Sequence, residues 1–89
     1  MRQFKTQKRG VNLVTAKVFV LIETVVDRNK DVVAAVKQLE GVKSVDTVTG
    51  PYDVIATIEE ETLNDVGDLI TAKIHPTADI SRTVTCLVV

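Results

Sequence analysis

In this chain of 89 residues, the run Val48-Thr49-Gly50-Pro51-Tyr52-Asp53 carries the arrangement with the clearest chemical use. A glycine at position 50 permits a positive φ or lets the backbone of a small ligand approach closely. Asp53, just past the turn, can accept hydrogen bonds from exposed turn amides and lock the hairpin. The same carboxylate can equally receive the ammonium group of a ligand. Composition alone does not separate these two uses.

The other reactive residues are isolated. A nucleophile, base and orienting group must converge in a pocket, and the chain has a single histidine and a single cysteine. His75 falls in the last turn of a helix, where an imidazole interacts favourably with the helix C-terminus. One cysteine excludes an internal disulfide and any multi-cysteine metal site. Cys86 sits on the apolar side of a strand and reads as a buried structural thiol. Glu59, Glu60 and Glu61 are consecutive, so they cannot all face one cation without an irregular backbone. They read as a solvated corner at a strand-helix junction. No Walker loop, GxGxxG or metal-spaced cluster is present. No enzyme, metal or cofactor is therefore expected.

These residues need elements to position them. Residues 16–24, AKVFVLIET, read as a strand rich in β-branched and aromatic residues. Val18, Val20 and Ile22 share one face, Phe19 and Leu21 the other. A strand apolar on both faces must be covered twice, and so small a chain has helices for only one side. The second face calls for another subunit. Residues 29–40 change period: Val32, Val33, Val36 and Leu39 form one helical stripe. Asp27 and Asp31 stand near its start, and Gly41 follows where a terminating glycine is expected.

Residues 42–49 and 52–60 are two strands punctuated by Gly50-Pro51. Thr62 caps a second helix, with Asp65 three residues on. Its stripe is Leu63, Val66, Ile70 and Ile74, and Pro76 ends it. Gly67 weakens this helix and suggests close packing on the sheet. In the final strand, residues 79–89, alternation groups Ile80, Val84, Cys86 and Val88 against Ser81, Thr83, Thr85 and Leu87. The order βαββαβ predicts an α+β, ferredoxin-like fold: an antiparallel sheet with two helices on one face.

Composition narrows the function classes. Hydrophobic residues make up 45% with two Phe, one Tyr and no Trp, so the core must be aliphatic and single-stranded nucleic acid finds no stacking platform. No membrane span or signal-peptide core is legible, so a cytoplasmic location is expected. The net charge of −1 is uneven. Five basic residues, Arg2, Lys5, Lys8, Arg9 and Lys17, precede any acidic one; residues 18–89 then carry six basic and twelve acidic residues. Residues 1–15 read as a basic tail and 16–89 as the folded, acidic domain, which does not suit a phosphate-binding surface.

The string VDTVTGPYDVIATIE, its spacing to a helix ending in Lys-Ile, and the closing DISRTVTCLVV resemble the effector-binding (RAM-type) domain of the Lrp/AsnC transcriptional regulators. The resemblance covers the chain from about residue 17 onward. It implies dimers packed sheet to sheet, a dimeric α/β-barrel-like assembly that builds to tetramers or larger homo-oligomers. It also implies an amino-acid effector held between dimers. By residue matching, it implies Gly50, Tyr52 and Asp53 near the effector's polar head, with help from Ser81, Thr83 and Thr85 on the last strand. The family's regulators carry a helix-turn-helix domain of roughly 50 residues ahead of this one. An extension of about 15 residues implies a stand-alone domain, favoured here over a fragment of a regulator, without direct specific DNA binding, which a full-length Lrp/AsnC regulator could complement by co-assembly. A structural or partner-recruiting module, or a small dimeric α/β-barrel enzyme, would use the same topology.

Overall fold

The computed structural model describes residues 15–89, so the expected basic tail lies outside the described residues except for Thr15. The elements follow in the order β1 (Ala16–Thr24), α1 (Asn29–Lys37), β2 (Val42–Thr47), β3 (Val54–Glu60), α2 (Leu63–Leu69), a π-helical turn (Ile70–Ile74) and β4 (Ile80–Leu87). The strands form one antiparallel sheet in the order β2-β3-β1-β4. This is the α+β, ferredoxin-like βαββαβ fold expected from the sequence.

The two periodicities meet in one aliphatic core. Val18, Val20 and Ile22 of β1 are fully buried, as are Val54, Ala56 and Ile58 of β3. They pack against Val32 and Val36 of α1 and against Val66, Leu69, Ile70 and Ile74 of the second helical segment. Directly opposed residues of an antiparallel pair share a face. The register of β1 with β3 and β4 therefore places Phe19, Leu21, Ile55, Thr57, Val84 and Cys86 on the other, helix-free side. The doubly apolar first strand has one face covered and one open.

Several expectations need correction. Cys86 is exposed, because β4 is an edge strand and its apolar side is the uncovered one. Ile80 does not share that side with Val84 and Cys86. A register shift between Glu23 and Thr24 pairs Arg82 with Glu23 but Ile80 with Thr24, so the alternation along β4 changes parity there. Ile80 packs on the helix-covered core instead. The first helix ends at Lys37 and not at residue 40. Two turns follow it, closed by Leu39 N–H on Val36 O and by Val42 N–H on Leu39 O, and Gly41, with φ +98°, lies inside the second.

The second helix is capped as expected: Thr62 Oγ1 accepts from Asp65 N at 3.1 Å. Its last turn widens to π geometry, with His75 N–H bonded to Ile70 O at 2.8 Å. Leu63, 55% exposed, is not part of the buried stripe. Gly67 is exposed, and a Cβ there would meet nothing within 4 Å. Close packing is thus not its role. Replacing Gly67 by Ala should stabilise the domain by about 1 kcal/mol through helix propensity alone, read as a higher urea midpoint with an unchanged slope.

Candidate ligand-binding site

The hairpin joining β2 to β3 sits at the end of the sheet where β1 finishes. Gly50 lies in the turn with φ +136°, exposed, with space around the position a Cβ would take. Backbone geometry therefore fixes glycine there, while its open surroundings leave room for another molecule. Val48 N–H bonds to Asp53 O at 2.9 Å, closing the hairpin, and Asp53 N–H bonds to Ile22 O at 2.9 Å, tying the hairpin to β1.

The Asp53 side chain completes that tie. Its Oδ2 accepts from Thr24 N at 2.9 Å and from Thr24 Oγ1 at 3.3 Å. The carboxylate locks the end of β1, and not the turn amides of its own hairpin. Both bonds fall on Oδ2, leaving Oδ1 outside this lock. Asp53 also lines a depression of about 420 Å³ with Glu23, Thr24, Val26, Asp27 and Asn29. Asp27, at φ +66°, turns the chain from β1 towards α1 along the rim.

Tyr52 belongs to a neighbouring cluster on the helix-free side. The Arg82 guanidinium carbon stands 5.3 Å from the Tyr52 ring centroid. Arg82 Nη2 lies 3.3 Å from the Tyr52 hydroxyl, and Nε 3.5 Å from Glu23 Oε1. Ser81, inside the register shift, donates from Oγ to Glu23 O at 2.9 Å. Asp53 and Ser81 therefore bond to residues 24 and 23 of β1, and Tyr52 reaches Glu23 through Arg82.

Thr83 and Thr85 are placed differently. They oppose Ile22 and Val20, on the helix-covered side of the edge strand. Thr83 Oγ1 lies 3.4 Å from His75 Nε2, so the lone histidine meets the last strand as well as its own helix end. Thr85 is exposed, two residues farther along β4. The six expected residues do not form one cluster within a single chain.

Glu23, Thr24 and Arg82 were not singled out from the sequence. The available signal was positional: a β1 strand ending opposite the hairpin must lend its terminal amide to something there. Among the described residues no group of three or more His, Cys, Asp or Glu side chains is placed to hold a metal ion. Nor, among them, is any helix long and apolar enough to cross a membrane.

A second depression, about 520 Å³, lies at the opposite end, between the end of α1 and α2. There the Glu60 carboxyl is held above its ordinary value. Burial is the main cause; Asp65, Glu40 and Glu61 add to it, and Lys43 opposes it. A carboxyl raised on folding favours the protonated native state. Its stabilising contribution is present below the unfolded value and is lost as pH rises through the folded one. Glu60→Gln should therefore raise stability at pH 7 and flatten the decline above pH 4.5, measured by thermal unfolding across pH.

The family model of the Lrp/AsnC ligand binding domain matches residues 17–89. Among solved structures, the chain is similar to TTHA0845 from Thermus thermophilus, at 31% identity and TM-score 0.79, covering 83% of this chain and 92% of that one. It is similar to the hypothetical protein PHS023 from Pyrococcus horikoshii, at 30% identity and TM-score 0.78, over 83% of this chain and 89% of that one. A feast or famine regulatory protein from M. tuberculosis, Rv3291c, complexed with L-methionine, is 25% identical with TM-score 0.69; the match spans 83% of this chain and 50% of that one. No curated protein matches. A match over residues 17–89, which contain nearly all of the strands and helices described, means that this chain belongs to the Lrp/AsnC ligand binding domain family.

Proposed function

We propose that the chain is an oligomeric sensor that binds a small molecule, an amino acid, at the hairpin end of its sheet and does not catalyse. The observation that carries this reading is the position of Asp53. Its carboxylate borders an open depression while its hairpin is anchored to β1 by three hydrogen bonds, one from the Asp53 amide and two to its side chain. A rigidly held carboxylate beside open space suits an ammonium group. Membership of a ligand-binding family, and the L-methionine bound by the M. tuberculosis protein, support an amino acid as the occupant.

Thr83 and Thr85, on the helix-covered side of the edge strand in one chain, join the reading through assembly. In a site shared between copies, hydroxyls from one protomer stand near the hairpin of another. The helix-free sheet face supplies a self-association surface. The balance of residues 18–89, six basic against twelve acidic, is the reason no base-contacting role is assigned to this domain. A regulator carrying a DNA-binding domain is the partner through which such a sensor would act, within the cytoplasm.

Light scattering combined with thermal unfolding, with and without each common amino acid, tests the reading. One amino acid should raise the unfolding temperature or change the molar mass. A well-folded oligomer indifferent to all of them would leave a structural module.

A further inference from the structure

We infer that the groove between the end of α1 and α2 is a docking site for the chain's own basic segment, residues 1–14. The groove has an apolar floor of Leu39, Leu69 and Ala72 and an acidic rim of Glu40, Glu60, Asp65 and Asp68, with Lys73 at its border. Residues 1–14 have the complementary composition: Arg2, Lys5, Lys8 and Arg9 with no acidic residue, Phe4 among them and the apolar Val11, Leu13 and Val14 after them. Charge and apolarity match together, which a solvated acidic surface would not require.

Topology brings the start of the described chain to the groove's end of the sheet. The described chain starts at Thr15, and Ala16 stands opposite Glu60 in the β1-β3 register. Ala16 packs against the helix-covered core, the side of the sheet on which the groove lies. Lys8 and Arg9 precede Thr15 by seven and six residues, which extended chain converts to a reach of about 20–25 Å.

Gly41 shapes the same corner. A Cβ there would lie 2.6 Å from Glu60 Oε2 and 3.0 Å from Leu69 Cδ2, so the glycine lets the carboxylate lie beside the floor. The like charges of Glu40, Glu61 and Asp65 around Glu60 are opposed among the described residues chiefly by Lys43. Cations from the segment would relieve that repulsion.

Trypsin cleavage after Lys8 and Arg9 of the full chain reports docking, with a free peptide of residues 1–14 as the control for the protease itself. Cleavage of the chain should be slowed about tenfold at low salt and should approach the peptide's rate near 0.5 M salt, where screening is complete within a few ångströms. Glu40→Lys with Asp68→Lys, both exposed positions, should abolish the protection. Adding Lys5→Glu, Lys8→Glu and Arg9→Glu to that pair should restore contact, read as recovery of the Leu39, Leu69 and Ala72 amide shifts. Cleavage as fast as the peptide at every salt, with groove shifts indifferent to both charge changes, would overturn the proposal. Protection that grows with protein concentration would also overturn it, assigning the groove to a second copy's segment.

Discussion

Asp53→Ala is expected to lower both stability and effector affinity, whereas Asp53→Asn should separate the two. The alanine variant removes the acceptor used by Thr24 N and Thr24 Oγ1. A half-buried backbone amide losing a charged acceptor costs about 2 kcal/mol, which for a domain of this size lowers the unfolding temperature by roughly 10 °C. Asparagine keeps a carbonyl oxygen that can accept from the Thr24 amide. Its thermal loss should be less than half as large. It carries no charge, so an effector ammonium loses its counter-ion, and affinity should fall by about tenfold or more. Calorimetric titration alongside unfolding of both variants reads the two effects independently. Equal affinity in wild type and Asp53→Asn would reduce the residue to a lock on β1 and remove the carboxylate from the ligand site.

This pairing matters because the sequence could not choose between a lock and a ligand contact. The elements themselves were legible. Val18, Val20 and Ile22 alternate through a strand buried on that side, and Val32 and Val36 mark the helix that covers it. The open Phe19 side required no structure to detect, since alternation with no polar set announces it. Legibility failed where period two is interrupted. The register shift opposite Glu23 and Thr24 moved Ile80 to the core side and put Ser81 into an irregular stretch, information held in pairing and not in residue type. Cys86 was misplaced for a related reason: an apolar neighbourhood on an edge strand does not tell which layer lies above it. The Asp53-Thr24 contact joins residues 29 apart, a long-range consequence of β1 lying between β3 and β4.

Leu21→Asp should have the largest effect on assembly. Leu21 lies on the helix-free face between Ile55 of β3 and Val84 of β4, with Phe19 next to it on the same side. Val84 is 38% exposed in the single chain, and Cys86 is open beside Phe19. A contiguous apolar face of this kind on a small domain marks an interaction surface. Covering it with a second copy buries several aliphatic side chains, each worth about 1.5–3 kcal/mol when fully removed from water. A carboxylate at its centre would be buried without a partner, at a cost of several kcal/mol that a dimer of this size cannot absorb. Light scattering should therefore show the variant at the 9.7 kDa mass of one chain, against at least twice that for the wild type. The Cys86 thiol provides the internal check: slow to react with a thiol reagent in the wild-type assembly, fast in the variant. The substitution faces away from the core, so far-ultraviolet circular dichroism should be retained. A wild type that is itself monomeric with a freely reactive Cys86 would refute the second-copy explanation of the open face, and the shared ligand site would fall with it.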